Sequence, residues 1–366
     1  MKTALLWFAM SGCLLGSSPG AQEGTPKQDP EAAMAEQISL LAENLTRTEV
    51  RAALGEESIR VMELDLERAS LLLEEGHWLA GLRPLVQTKL YMDQSAFDVS
   101  GSSTQDLAAL VAECAEFLGE VRALPSPLEG RHGRPAELQA LLEENRGRAE
   151  VYAVAAPEQG REVVLAAGIY YLAQGRAHGA AARWLMSLAP PKPAHPVLGF
   201  PGLDAYFDRL ERELLEVYRP PLSKTLHSAF IQISAGLKFG RELKARGFVF
   251  GALHEALEVA HGLEQISLGS QGEPSPRLDE LSESLIRMQA RWKQLPSDTS
   301  MADPYALLAQ HLLDTEDLDL VPARSLVERV LVDYLACIEP GAALAMEAAS
   351  TEEPEVIITL VRWPFT

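Results

Sequence analysis

One arrangement of small and large residues occurs three times in this chain and limits what it can fold into. Ala69, Leu72, Gly76 and Gly81 follow the spacing small-x2-large-x3-Gly-x4-small, as do Gly168, Tyr171, Gly175 and Ala180, and again Gly240, Leu243, Gly247 and Ala252. A small residue lets a neighbouring helix backbone come close, and a large apolar one fills the groove beside it. Glycine takes the left-handed backbone that ends a helix and turns the chain. The pattern predicts antiparallel helices paired through tight turns, with the clearest hairpin over about Glu162 to Leu188.

The rest of the chain agrees with an all-α fold. Apolar residues recur at helical spacing in Met34, Ile38, Leu41 and Leu45, then in Leu107, Leu110, Val111, Cys114, Phe117, Leu118 and Val121, and in Leu203, Tyr206, Phe207, Leu210, Leu214, Leu215 and Tyr218. Ala136 to Arg148 is expected to be a short helix, and further helices are expected over Leu222 to Arg246, Phe250 to Leu263, Leu278 to Leu295, Tyr305 to Leu313 and Pro322 to Ile338. Aromatic residues make up only 6% of the chain, so packing must rest on aliphatic and small side chains. Only the end, Val356 to Val361, is β-branched enough to suggest an extended segment.

At the second occurrence the pattern resembles a known family. Gly168, Tyr171, Ala180 and Trp184 fall at the spacing of the small, Tyr, Ala and aromatic signature positions of the tetratricopeptide repeat. The resemblance implies stacked helical hairpins, a TPR-like α-solenoid with a concave face that binds proteins or peptides. The units begin 99 and then 72 residues apart, so the expected array is irregular. Its divisions are a signal peptide over 1–21, a flexible linker over 22–30, an N-terminal helical array over 31–189, a Pro-rich loop over 190–202, a C-terminal helical array over 203–350 and an extended tail over 351–366.

Lys2 followed by the apolar run Thr3 to Leu15 reads as an export signal, too short to span a bilayer. Small residues from Gly16 to Ala21 offer a cleavage site. Met10-Ser11-Gly12-Cys13 also resembles a bacterial lipobox, which would make Cys13 a lipid-anchored first residue. Either way the expected destination is periplasmic or secreted, with no transmembrane span. Cys114 and Cys337 can be read as buried free thiols or as a disulfide formed after export.

A formal net charge of −20 argues against free nucleic acid as a partner. The densest basic stretch, Arg131, His132, Arg134, Arg146 and Arg148, alternates with glutamate and reads as a solvated face. No phosphate loop, dinucleotide fingerprint, nucleophile elbow or zinc-protease motif occurs. His254, Glu258 and His261 stand at i, i+4 and i+7, a spacing that suits zinc or iron; the plainer reading is a polar rim on an amphipathic helix. Glu74 with His77 and Glu129 with His132 repeat the Glu-x-x-His spacing but straddle a turn or loop. Tyr170, Tyr171, Trp184 and Tyr206 flank the Pro-rich loop with its His195, and read first as packing, second as the lining of a sugar cleft. The expectation is a non-catalytic binding module without cofactor or metal and without assigned catalytic residues. The alternative is an exported helical hydrolase or lyase with its cleft near the Pro-rich loop.

Overall fold

The computed structural model describes residues 28–101, 107–124, 135–162, 165–189, 200, 202–218, 226–271, 278–293, 301–314 and 320–338. The expected signal peptide and extended tail, and most of the expected linker and Pro-rich loop, lie outside these residues. Among the described residues every regular element is a helix, and an isolated parallel bridge joins Gln28 to Leu188. The chain divides into two compact units, one of residues 1–129 and 145–190, the other of residues 130–144 and 191–366.

The first unit holds α1 (Pro30–Leu45), α2 (Thr48–Leu54), α3 (Glu56–Glu74), α4 (Trp78–Gly101), α5 (Leu107–Arg122), the part of α6 (Ala136–Glu162) from Asn145 onward, and α7 (Leu165–Ser187). The first repeat of the sequence pattern is a hairpin here. Gly76 has φ of 80°, and two reversed hydrogen bonds close the end of α3: Gly76 N–H to Leu73 O at 3.0 Å and His77 N–H to Leu72 O at 2.7 Å. Five residues after Gly76, a methyl placed on Gly81 would lie 3.1 Å from the Ala69 carbonyl oxygen, so α3 and α4 touch backbone to backbone.

The second repeat is not a hairpin. Leu165 to Ser187 is one uninterrupted helix, and Gly175 sits in its middle. Alanines at 173, 177, 180, 181 and 182 carry the helix across, because each glycine within it costs only about 1 kcal/mol against that propensity. The small residues serve a crossing instead of a turn. A methyl on Gly175 would meet Ala149 O and Ala153 N, both at 3.3 Å, and one on Gly179 would run into the Phe117 ring at 2.5 Å. Contacts of α7 with α6 run in opposite chain directions, Tyr171 with Tyr152 and His178 with Asn145. Those with α5 run in the same direction: Arg176 to Glu113 at 2.5 Å and Arg183 to Glu120 at 2.6 Å, seven residues apart on both helices. Helices α5 and α7 are therefore parallel neighbours, paired by charges one heptad apart.

The second unit holds the start of α6, from Ala136 to Glu144, with α8 (Leu203–Val217), α9 (His227–Ala245), α10 (Val249–Gln271), α11 (Leu278–Trp292), α12 (Ala302–Asp314), α13 (Leu320–Ser325), a π-helical turn (Leu326–Val330) and α14 (Leu331–Ile338). The third repeat is a hairpin of the same kind as the first. Gly247 has φ of 87°, with Gly247 N–H on Lys244 O at 3.0 Å and Phe248 N–H on Leu243 O at 2.9 Å. Phe248 and Leu243 are both buried beside that turn, the apolar contact that usually accompanies it. Gly240 lies against the Phe207 ring of α8, which brings α8 onto the α9–α10 hairpin. Helix α10, buried from Gly251 to Leu257, is the centre of the unit.

Gly175→Val should overpack the α6–α7 crossing and cost about 1–3 kcal/mol, whereas Gly119→Ala, with nothing within 4 Å of the added carbon, should be neutral or stabilise by up to about 1 kcal/mol. Urea unfolding followed by circular dichroism checks both, and equal midpoints for the two variants would contradict the crossing.

Candidate functional site

Polar side chains in the second unit gather along one line through its core. It starts on α6, where Ala136 to Glu143 are buried on every side, Glu137, Gln139 and Glu143 included. Glu143 is held by the free N–H groups at the start of α10: its Oε2 accepts from Phe250 N at 2.8 Å and Gly251 N at 3.3 Å, and its Oε1 from Gln139 Nε2 at 2.9 Å. The residue before α10 is Phe248, which has no side chain to cap a helix, so a carboxylate from another helix supplies the cap. The positive end of the helix dipole favours the same charge. Gly251 makes this approach possible, since a methyl there would stand 2.5 Å from Glu144 N.

One turn along α10, His254 is 3% exposed. Its Nδ1 lies 2.8 Å from the hydroxyl of Tyr305 on α12, and its Nε2 lies 3.4 Å from Glu144 Oε2. The same hydroxyl donates toward Glu258 Oε1 at 3.4 Å. His261 turns to a different partner, Ser325, at the start of the π turn. Ser325 Oγ donates to His261 O at 3.1 Å and lies 2.8 Å from Nδ1, while the Gln265 amide donates to Nε2 at 2.7 Å. With its proton on a carbonyl, the Ser325 hydroxyl accepts from the ring and is not activated as a nucleophile.

His254 and Glu258 thus meet on one tyrosine and His261 on a serine. Among the described residues no group of three His, Cys, Asp or Glu side chains gathers as a metal site. The three residues of the i, i+4, i+7 spacing serve instead to bind α10 to α6, α12 and the π turn. The polar-rim reading is itself corrected for His254, which is in the interior.

The line ends in a buried charge network. Asp333 of α14 accepts from Tyr206 at 2.9 Å, from Arg209 at 2.5 Å and from Arg329 at 2.6 Å, and Arg329 also donates to Glu213 at 2.6 Å. Arg329 lies within the π turn, where Leu331 N–H reaches back to Leu326 O. Such turns are often found at functional sites. Burial lowers the affinity of Arg329 and Arg209 for their protons, but the negative partners, Asp333 first, outweigh it and both guanidiniums are held more firmly protonated than usual. Burial and then Asp333 push the Tyr206 phenol well above its ordinary value. Burial also raises Glu264, which faces Arg329 at 4.0 Å.

Tyr206 therefore belongs to this network and not to a cleft. Tyr171 packs against Tyr152 at 6.2 Å between ring centres, Tyr170 is exposed and takes a hydrogen bond from Gln174, and His195 lies outside the described residues. The basic stretch is corrected for Arg146, which pairs with Glu150 at 3.6 Å with both side chains largely covered, while the half-buried Arg148 donates to Tyr152. Arg131, His132 and Arg134 fall outside the described residues. Cys114 and Cys337 are free and buried. Burial pushes the Cys114 thiol up to about 11 and raises Cys337 strongly as well, which leaves both as unreactive thiols at neutral pH.

Sequence reasoning missed the charge network, although a signal was present. Arg329 and Asp333 stand four apart within the apolar run Leu326 to Ile338, and Arg209 and Glu213 stand four apart on the equally amphipathic α8. Charges inside an apolar stripe have to find partners. Comparison of the chain with protein-family models, with curated proteins and with solved structures finds no match.

Removing one member of the network leaves buried charge without its partner. Asp333→Asn should cost about 3–5 kcal/mol, while Arg329→Met with Asp333→Leu should cost less than the two single changes summed. Urea midpoints for Asp333→Asn, and for wild type, Arg329→Met, Asp333→Leu and the double variant, give the comparison, and strict additivity in the cycle would contradict the coupling.

The first unit holds a titratable group of its own. His178 Nδ1 lies 2.7 Å from Asn145 Oδ1 and its ring packs on Tyr152. Burial, and then the nearby Arg148 charge, hold it well below the ordinary histidine value. The unfolded chain takes up this proton near pH ~6.5 and the folded chain only lower down, so the stability linked to His178 is full above ~6.5 and lost as pH falls below it. His178→Gln should lose less stability between neutral and mildly acidic pH than wild type, and parallel losses would show that this histidine does not titrate in that way.

Proposed function

We propose that the protein is an exported, non-catalytic helical module that binds another protein or peptide in the cell envelope. The observation that carries this reading is the two-faced character of α3. Ile59, Met62, Leu66, Ala69 and Leu72 bury one face in the first unit, while Val61, Leu64 and Leu71 stand 45%, 42% and 39% exposed on the opposite face. What sets these three apart is that they share one row of one helix, and apolar side chains grouped in that way can be covered together by a partner. The interior adds support. Side chains with chemical potential, His254, Tyr305 and Asp333, are 3%, 1% and 2% exposed and hydrogen-bonded within the core, His254 with Tyr305 and Asp333 with Tyr206.

The hairpins closed by Gly76 and Gly247 support reading the architecture as an irregular relative of tetratricopeptide arrays, which use their surfaces to hold partner segments. Lys2 and the apolar run that follows support export, either as a cleaved chain or as a lipoprotein anchored at Cys13.

Wild type and a Leu64→Glu/Leu71→Glu variant should be compared as baits in envelope extracts. Both substitutions fall on exposed side chains, so the variant should melt within a few degrees of wild type yet lose a protein that wild type retains. Identical captured proteins would overturn the assignment of binding to this face. Intact-mass measurement of the exported chain distinguishes a cleaved from a lipidated N-terminus.

A further inference from the structure

We infer that the outward face of α3 is a docking surface for a basic amphipathic helix of another protein. The inference rests on the binding reading above and adds the chemical class of the partner. Along that face Glu57, Val61, Leu64, Arg68, Leu71 and Glu75 alternate at four- and three-residue steps. This is the spacing of a coiled-coil seam, apolar at Val61, Leu64 and Leu71, with Arg68 between the leucines held toward Asp65 at 3.4 Å. At 1.5 Å per residue the helix offers a track on the order of 28 Å long. The buried row Ile59, Met62, Leu66, Ala69 and Leu72 lies on the far side, so the outward row is not needed to hold α3 in the unit.

Charge selects the occupant. One flank of the seam carries Glu56, Glu63, Glu67 and Glu74, with Arg60 as its cation, and Glu57 and Glu75 close the two ends of the line. Arg51 of α2 holds two of these acids in place, Glu56 at 2.7 Å and Glu63 at 3.1 Å, while all four stay at the surface. A second copy of the chain would bring the same acidic flank against itself, in a protein whose formal net charge is −20. Like charges facing across a helix pair oppose association, and lysine or arginine beside a leucine seam favours it. The complementary partner is a helix with leucine-type residues on one face and basic residues beside them.

The test uses the full-length exported chain and fluorescein-labelled peptides of about 18 residues, long enough to run along α3. The first peptide has leucines at seam spacing and lysines elsewhere. The second has the same composition shuffled so that no leucine face forms, and the third has glutamates for lysines. Anisotropy titration should show saturable binding of the first alone, weakened by salt. Leu64→Glu/Leu71→Glu should weaken it at least about tenfold. Glu67→Lys/Glu74→Lys, which leaves the apolar seam intact, should shift preference from the lysine toward the glutamate peptide.

The inference is overturned if the shuffled peptide binds equally, if both variants bind as wild type does, or if sedimentation shows a dimer that Leu64→Glu abolishes, since the occupant is then a second copy. A partner captured through Leu64 and Leu71 in the absence of any peptide binding refutes the basic-helix class alone. Peptide binding without such capture refutes the cellular reading instead.

Discussion

Close approach of helix backbones at glycine and alanine is the constraint on which both units depend. A helix pair separated by leucines leaves room for side chains between the axes, and one that meets at Gly81 or Gly251 does not. The carbonyl of Ala69 and the backbone of Glu144 then serve as packing surfaces themselves. With few aromatic residues to fill gaps, the chain gains contact density by bringing backbones together. The cost is that little can change at those points, because the Ala69 carbonyl beside Gly81 and the Glu144 backbone beside Gly251 are main chain with no free direction in which to move.

Tight approach also shapes the polar interior. When the first turn of α10 crosses α6 at Gly251, its free N–H groups are sealed from water and need an acceptor. Glu143 provides it, and an otherwise costly buried carboxylate becomes the cap that fixes the two helices in register. The same logic continues down α10. His254, His261 and Glu264 each meet a partner on a different helix, and Arg329 with Asp333 draws Tyr206, Arg209 and Glu213 of α8 into the same line. Apolar packing is tolerant of sliding by a residue. A row of directional bonds is not, so the line gives the second unit one register among many of similar hydrophobic content.

The helical class, the turns at Gly76 and Gly247 and the apolar faces of α1, α5 and α8 were legible in the sequence because each depends on local spacing. The hairpin expected at Gly175 was not there, and the reason is physical. Small-large-Gly-small describes a requirement for close contact, which a turn and a crossing satisfy equally. What separates the cases is the backbone: φ is positive at Gly76 and Gly247, while Gly175 is carried through by flanking alanines. The interior polar line was less legible still. Glu143 and His254 look like surface residues one at a time, and only the partner helices, distant in sequence, make them interior ones. One local clue was available. Phe248 cannot cap α10, so the acceptor for its first N–H groups had to come from elsewhere.

Exposed large apolar side chains are not confined to α3 and occur on other helices as well, Leu215 of α8, Ile231 of α9 and Ile286 of α11 among them. On α3 three apolar residues stay outside in an ordered row, beside acids of which Glu56 and Glu63 are tied to Arg51. Isolated exposed leucines are ordinary on any protein surface. A row at seam spacing is different, because its members can be covered together by one helix and their burial then adds up. A mixed surface of this kind gains little from binding either a purely apolar or a purely basic segment, since each would leave half of it unmatched. Affinity comes from satisfying both at once, and a helix with leucines on one face and basic residues beside them does so.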